Sequence, residues 1–96
     1  MNFEYLPIGS IVVLNSSETY KFMIVGYLPT NESGEQRDYS AIRYPMGFYD
    51  NRLFFFFNHA DISDILHTGY IDEDFEMMMS FLRVAKEKTT ENTNHS

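Results

Sequence analysis

Residues 52–61 read RLFFFFNHAD, and this run constrains the architecture more than any other. In an extended chain successive side chains point to opposite faces, so Phe54 and Phe56 share one face and Phe55 and Phe57 the other. A sheet solvated on one side would make one of those pairs polar. Four consecutive phenylalanines therefore require apolar cover on both sides: a curled sheet with its own interior, and a further element laid over the outer face.

The segments upstream supply such a sheet. Leu6-Pro7-Ile8-Gly9-Ser10 reads as a turn entering a β-branched strand, Ile11–Leu14. Asn15 to Glu18 forms a hairpin loop, and a second strand over residues 20–28 is apolar on both faces, with Gly26 placed for a bulge. Pro29 to Asp38 has the composition of an exposed loop. A third strand, Tyr39–Tyr44, ends at Pro45-Met46-Gly47, and the phenylalanine strand occupies residues 53–57. After it, Asn58 to Ser63 predicts a short turn or one turn of 3₁₀ helix, and residues 65–68 a fifth strand stopped by Gly69.

From Asp72 the apolar period changes. Phe75, Met78, Met79, Leu82 and Ala85 recur at helical spacing, with Asp72, Glu73, Asp74 and Glu76 at the start and Arg83, Lys86 and Lys88 near the end. The pattern predicts a helix over residues 73–88 with Asp72 as its N-cap. The fold class expected is α+β: a strongly bent five-stranded antiparallel sheet, or SH3-like partial barrel, carrying one C-terminal amphipathic helix. Residues 1–88 make a single domain, and residues 89–96 read as a disordered polar tail. The helix carries a second apolar line, Met77, Phe81 and Val84, which a monomer does not need unless the helix is engulfed.

Composition narrows the function classes. Of 96 residues, fourteen are acidic and seven are lysine or arginine, giving a formal charge of −7. No basic stripe exists to displace counterions from nucleic acid, and a basic or neutral partner is favoured. Cysteine is absent, which excludes disulfides and thiolate chemistry. The N-terminal residues lack the basic and apolar regions of a signal peptide, and no apolar run is long enough to span a membrane. A cytoplasmic protein without membrane insertion is expected. Aromatic residues make up 17% of the chain, more apolar surface than a small core uses, so some of it is expected to meet another protein.

Catalytic patterns are weak. His59, Asp61, Asp64 and His67 are ligand types for zinc or iron, but they straddle a turn and a strand at no recognised spacing. Asp61 reads better as a turn cap and His59 as a hydrogen-bonding residue at a loop end. The acidic run from Asp72 lacks the alternating ligands and turn glycine of a calcium loop. No serine lies in a nucleophile elbow or phosphate loop. Tyr70 to Asp74 fits the pattern Y-x-x-x-D/E of type VII export tags, yet it precedes the helix in a strand-rich chain and reads as coincidence. No enzyme activity, cofactor or metal is expected. A small metal-dependent enzyme built on the His/Asp set is the alternative class, and a self-associating structural module the third.

The segments LPIGSIVVL, FMIVGY, DYSAIRYPMG, FFFNHADISDIL and GYIDEDFE, in that order over residues 6–76, resemble a small bacterial family of domains of unknown function. In Firmicutes that family is typically encoded beside type VII (ESX/WXG100) secretion genes and LXG toxins, and some relatives look like toxin chaperones or targeting factors. The resemblance implies a non-enzymatic factor whose partner is a secreted effector or toxin; a homodimer closed by the second apolar line of the helix is the alternative. It supplies no catalytic residues. The matched positions Asp38, Tyr39, Tyr44 and His59 either hold the fold or line a recognition surface. Phe48, Tyr49, Met77, Phe81 and Val84, together with Tyr39 and Tyr44, are the candidate partner-binding residues.

Overall fold

A computed structural model describes residues 3–94 of the chain, with side chains described through Lys86. The elements are β1 (Ile11–Leu14), β2 (Ser17–Tyr27), β3 (Tyr39–Tyr44), β4 (Phe55–Phe57), a 3₁₀ turn (His59–Asp61), β5 (Ile62–His67) and α1 (Glu73–Asn94). The strands form one antiparallel sheet in the order β4-β3-β2-β1-β5, which does not close. The fold is therefore α+β, a bent five-stranded sheet with a C-terminal helix.

The bend follows from connectivity. β4 and β5 lie at opposite edges, about 19 Å apart in a flat sheet of five strands. The chain from Phe57 to Ile62 reaches at most about 17 Å even when fully extended, and the 3₁₀ turn within it shortens that reach. The sheet must curl until its edges approach at this end. Asn15 fastens the junction: its N–H donates to the Asp61 carbonyl at 2.8 Å and its side-chain amide to the Ala60 carbonyl at 3.3 Å.

The core sits on the concave face. Val12, Leu14, Phe22, Ile24, Tyr39, Ala41 and Phe57 are buried there together with Met79 and Leu82 of α1. Phe22 packs its ring against β4, with centroids 5.1 Å from Phe55 and 6.1 Å from Phe57. The expectation that the helix covers the outer face of the phenylalanine strand is thus corrected. Because the sheet stays open, its own side chains do not fill the interior, and the helix occupies that space on the Phe55/Phe57 side. Phe54 and Phe56 remain 38% and 40% exposed.

Boundaries shift for local reasons. β2 begins at Ser17 because the hairpin needs only the turn at Asn15 and Ser16. β4 begins at Phe55 because Leu53 is held in a turn by its N–H bond to the Asp50 carbonyl. β5 starts directly after the 3₁₀ turn, and α1 continues to Asn94, past the end expected at residue 88. The polar tail expected over residues 89–96 falls, for its side chains and last two residues, outside the described residues. The Gly26 bulge is present as a register shift between Ile24 and Gly26, and Asp72 caps the helix by accepting the Phe75 N–H at 3.0 Å.

Gly69 packs the segment after β5 against the N-terminal turn. Its N–H donates to the buried Ser10 hydroxyl at 2.9 Å, and an added Cβ would lie 2.1 Å from the Ile8 carbonyl oxygen. Gly69→Ala is expected to cost about 1–3 kcal/mol, the range for overpacking against a fixed neighbour. The check is the urea midpoint; a wild-type midpoint would mean that the Leu6–Ser10 turn does not dock where it is seen.

Candidate functional site

One end of the sheet holds a buried polar cluster. Asp38, 4% exposed, ends the β2–β3 loop. Its Oδ2 accepts the His59 N–H at 2.9 Å and its Oδ1 accepts from the Lys86 ammonium of α1. Asn58 faces it from the opposite direction, its Oδ1 accepting the Asp38 N–H at 3.1 Å. Asn58 also caps the 3₁₀ turn in a capping box with Asp61, whose Oδ2 accepts the Asn58 N–H at 2.8 Å. One carboxylate thus ties a loop, a turn and the helix together.

Tyrosines extend the cluster. The Tyr39 hydroxyl accepts the Leu6 N–H at 3.0 Å and lies 2.8 Å from His59 Nδ1, while the Tyr27 hydroxyl donates to the Leu6 carbonyl at 2.5 Å. With its oxygen engaged by Leu6, Tyr39 has its own proton to give to Nδ1, an assignment that leaves the hydrogen of neutral His59 on Nε2. Phe3 stacks on the imidazole at 4.2 Å, and the Lys86 ammonium sits 5.2 Å from the Phe3 ring centre. The Tyr5 hydroxyl is buried with no hydrogen-bond partner of ordinary geometry; burial pushes it above its ordinary range, and the nearby Lys86 ammonium opposes this without outweighing it.

Burial dominates the titration of this end. It pushes the Tyr27 hydroxyl up to about 12 and the Tyr39 hydroxyl higher still. Burial also acts to lower Lys86, but the hydrogen bond and charge of Asp38 outweigh it and hold the ammonium above its usual range. For His59, burial holds the imidazole below its ordinary value; Asp38 opposes this and Lys86 reinforces it. An imidazole depressed in the folded chain binds its proton later than the unfolded chain does. Stability is then fully present above the unfolded value, about 6.5, and falls as pH drops from there through the folded value. Urea midpoints at pH 7.5 and 5.5 should differ by less in His59→Gln than in the wild type; an equal difference would remove His59 as the source.

These contacts settle where several candidate residues lie. Tyr39 is completely buried and belongs to the core, a correction to its place among the partner-binding residues. Its ring packs on Phe57 at 5.8 Å because the inward register of β3 leaves it nowhere else to go. Asp38 is buried, and His59 is spent on internal contacts, so the fold-holding reading accounts for both. The set His59, Asp61, Asp64 and His67 is not assembled: His59 binds Tyr39, Asp61 caps the turn, and among the described residues no three metal-ligating side chains converge. Lys86 went unnoticed as a site residue. Its position continues the Phe75–Met79–Leu82 line at helical spacing, and a lysine on the buried stripe demands a buried acid.

The remaining candidates are exposed and fall in two places. On α1, Met79 and Leu82 enter the core while Met77, Phe81 and Val84 are 74%, 65% and 51% exposed on the opposite face. At the end of β3 and in the connection to β4, Tyr44, Phe48 and Tyr49 are exposed, joined by Met46. That loop is shaped without help from the core. Gly47, at φ +75°, donates its N–H to the Arg43 carbonyl, Asp50 binds the Arg52 backbone and guanidinium, and Phe48 packs on Phe54 at 5.6 Å. Tyr70 and Ile71, before the helix, are also exposed. Among the described residues no helix is long and apolar enough to cross a membrane.

The family model described as a domain of unknown function, DUF4176, matches residues 5–78. The match spans all five strands and the start of α1, and stops before Phe81, Val84 and Lys86. No curated protein and no solved structure matches the chain.

Proposed function

We propose that this chain, which belongs to the DUF4176 family of domains of unknown function, is a non-enzymatic accessory factor that binds another protein. We assign it as chaperone or targeting factor for a type VII secretion effector of the LXG toxin class, acting in the cytoplasm before export. The observation that carries the binding role is the two-sided helix. Its inner line, Met79 and Leu82, satisfies the fold, so the outer line of Met77, Phe81 and Val84 has no task in the described domain. A methionine and an aromatic on one rigid face suit an adaptable protein contact. The type VII part of the reading rests on the ordered motifs over residues 6–76.

A charge of −7 on each copy opposes a symmetric interface and favours a partner that is neutral or basic. The test is co-expression of the tagged chain with the products of its neighbouring genes, followed by affinity capture. A stoichiometric complex with a secreted effector is expected. Recovery of the chain alone in every pairing would overturn the reading.

A further inference from the structure

The sheet parts along an open cleft of about 620 Å³, lined by Leu14, Phe22, Phe55, Phe56, Phe57 and Asp61 among others. The cleft runs beside β4, which is an edge strand pairing with β3 alone among the described residues. In an antiparallel ladder every other residue turns its main-chain groups away from its partner strand, so β4 presents unpaired backbone toward a phenylalanine-lined space.

We propose that an extended segment of a partner protein docks here as a sixth strand on β4. It would place apolar side chains in the cleft and a lysine or arginine near Asp61. The proposal rests on the protein-binding reading and names the mode of contact and the chemistry of the bound segment.

Three observations select this occupant. An extended chain satisfies the free backbone of β4, which a helix or an apolar small molecule would leave unpaired. Asp61 is the charged residue on the lining, within a molecule of charge −7, so the complementary segment is basic. The opposite edge is built to refuse pairing: β5 carries Asp64 in its middle and shifts register twice against β1, whereas β4 consists of phenylalanine alone. β4 is only three residues long, so its ladder contributes few hydrogen bonds, and the cleft, of ligand-pocket size, supplies the apolar burial.

The test uses the full chain and no natural partner, so its failure is distinguishable from failure of the capture experiment. Isotope-labelled protein is titrated with a synthetic peptide of alternating valine and lysine, and with the same peptide N-methylated at every residue. Saturable shifts of the Phe55, Phe56 and Phe57 amides are expected. The N-methylated peptide should bind at least about tenfold more weakly, as loss of one or two main-chain hydrogen bonds requires. Equal affinity of the two peptides, shifts centred on Ile62–His67, or no saturable binding would overturn the proposal. So would the same shifts appearing with protein concentration alone, which would assign the cleft to a second copy of this chain.

Discussion

Phe81→Asp is expected to abolish effector capture and to leave the domain folded. The ring is 65% exposed, so its removal takes little from the core. The cost of aspartate inside an exposed helix is about 1 kcal/mol or less. At an interface the same change removes an aromatic anchor and buries a carboxylate without a partner, which weakens binding by at least about thirtyfold. Circular dichroism and a urea melt report the first quantity and affinity capture the second. An unfolded variant would place Phe81 in the core, and capture at the wild-type level would clear the helix face of any binding role.

The second large effect is on stability. Asp38→Ala removes the acceptor of both the His59 N–H and the Lys86 ammonium. Breaking a fully buried ion pair costs about 3–5 kcal/mol. The Lys86 side chain is 42% exposed and keeps part of its hydration, so about 2–3 kcal/mol is expected. That is a large share of the stability of a domain this size. Asp38→Asn combined with Lys86→Met should recover much of the loss, because it retains an acceptor for His59 and replaces the stranded cation by an apolar chain of similar length. An Asp38→Ala urea midpoint equal to the wild type would show that the cluster does not hold the helix to the sheet.

The sequence expressed some of this architecture through local chemistry and concealed the rest in long-range pairing. Gly26, Asp72 and the 3₁₀ turn after Asn58 were legible because a bulge, a cap and a turn each have a short-range cause. The four phenylalanines correctly signalled a bent sheet. They misdirected the helix because alternation states that two faces exist without stating which one another element covers. The face was settled by the open seam between β4 and the β1–β2 turn, which depends on residues far apart in the chain. Tyr39 presented itself as a surface aromatic in a motif, and only the β3–β4 register reveals it as core. Lys86 did carry a local signal, its place on the Met79–Leu82 line, whereas its partner Asp38 lies 48 residues away.

The exposed apolar surface divides in the same way. Met77, Phe81 and Val84 were legible because a helix has a known period and one apolar stripe was already assigned to the core. Phe48 and Tyr49 were recognised as aromatics, but their presentation depends on loop hydrogen bonds around Gly47, Asp50 and Arg52 that no periodicity encodes. The β4 cleft was invisible in the sequence, since it exists only because the curled sheet does not close.

Light scattering at the exit of a size-exclusion column separates the accounts of this exposed apolar surface. The protein-binding reading requires a mass near 11.3 kDa for the chain alone and, after co-expression with its effector, a single species containing both proteins. A stable species of twice the chain mass that takes up no effector would contradict it, and would show the outer face of α1 to be an interface between two copies.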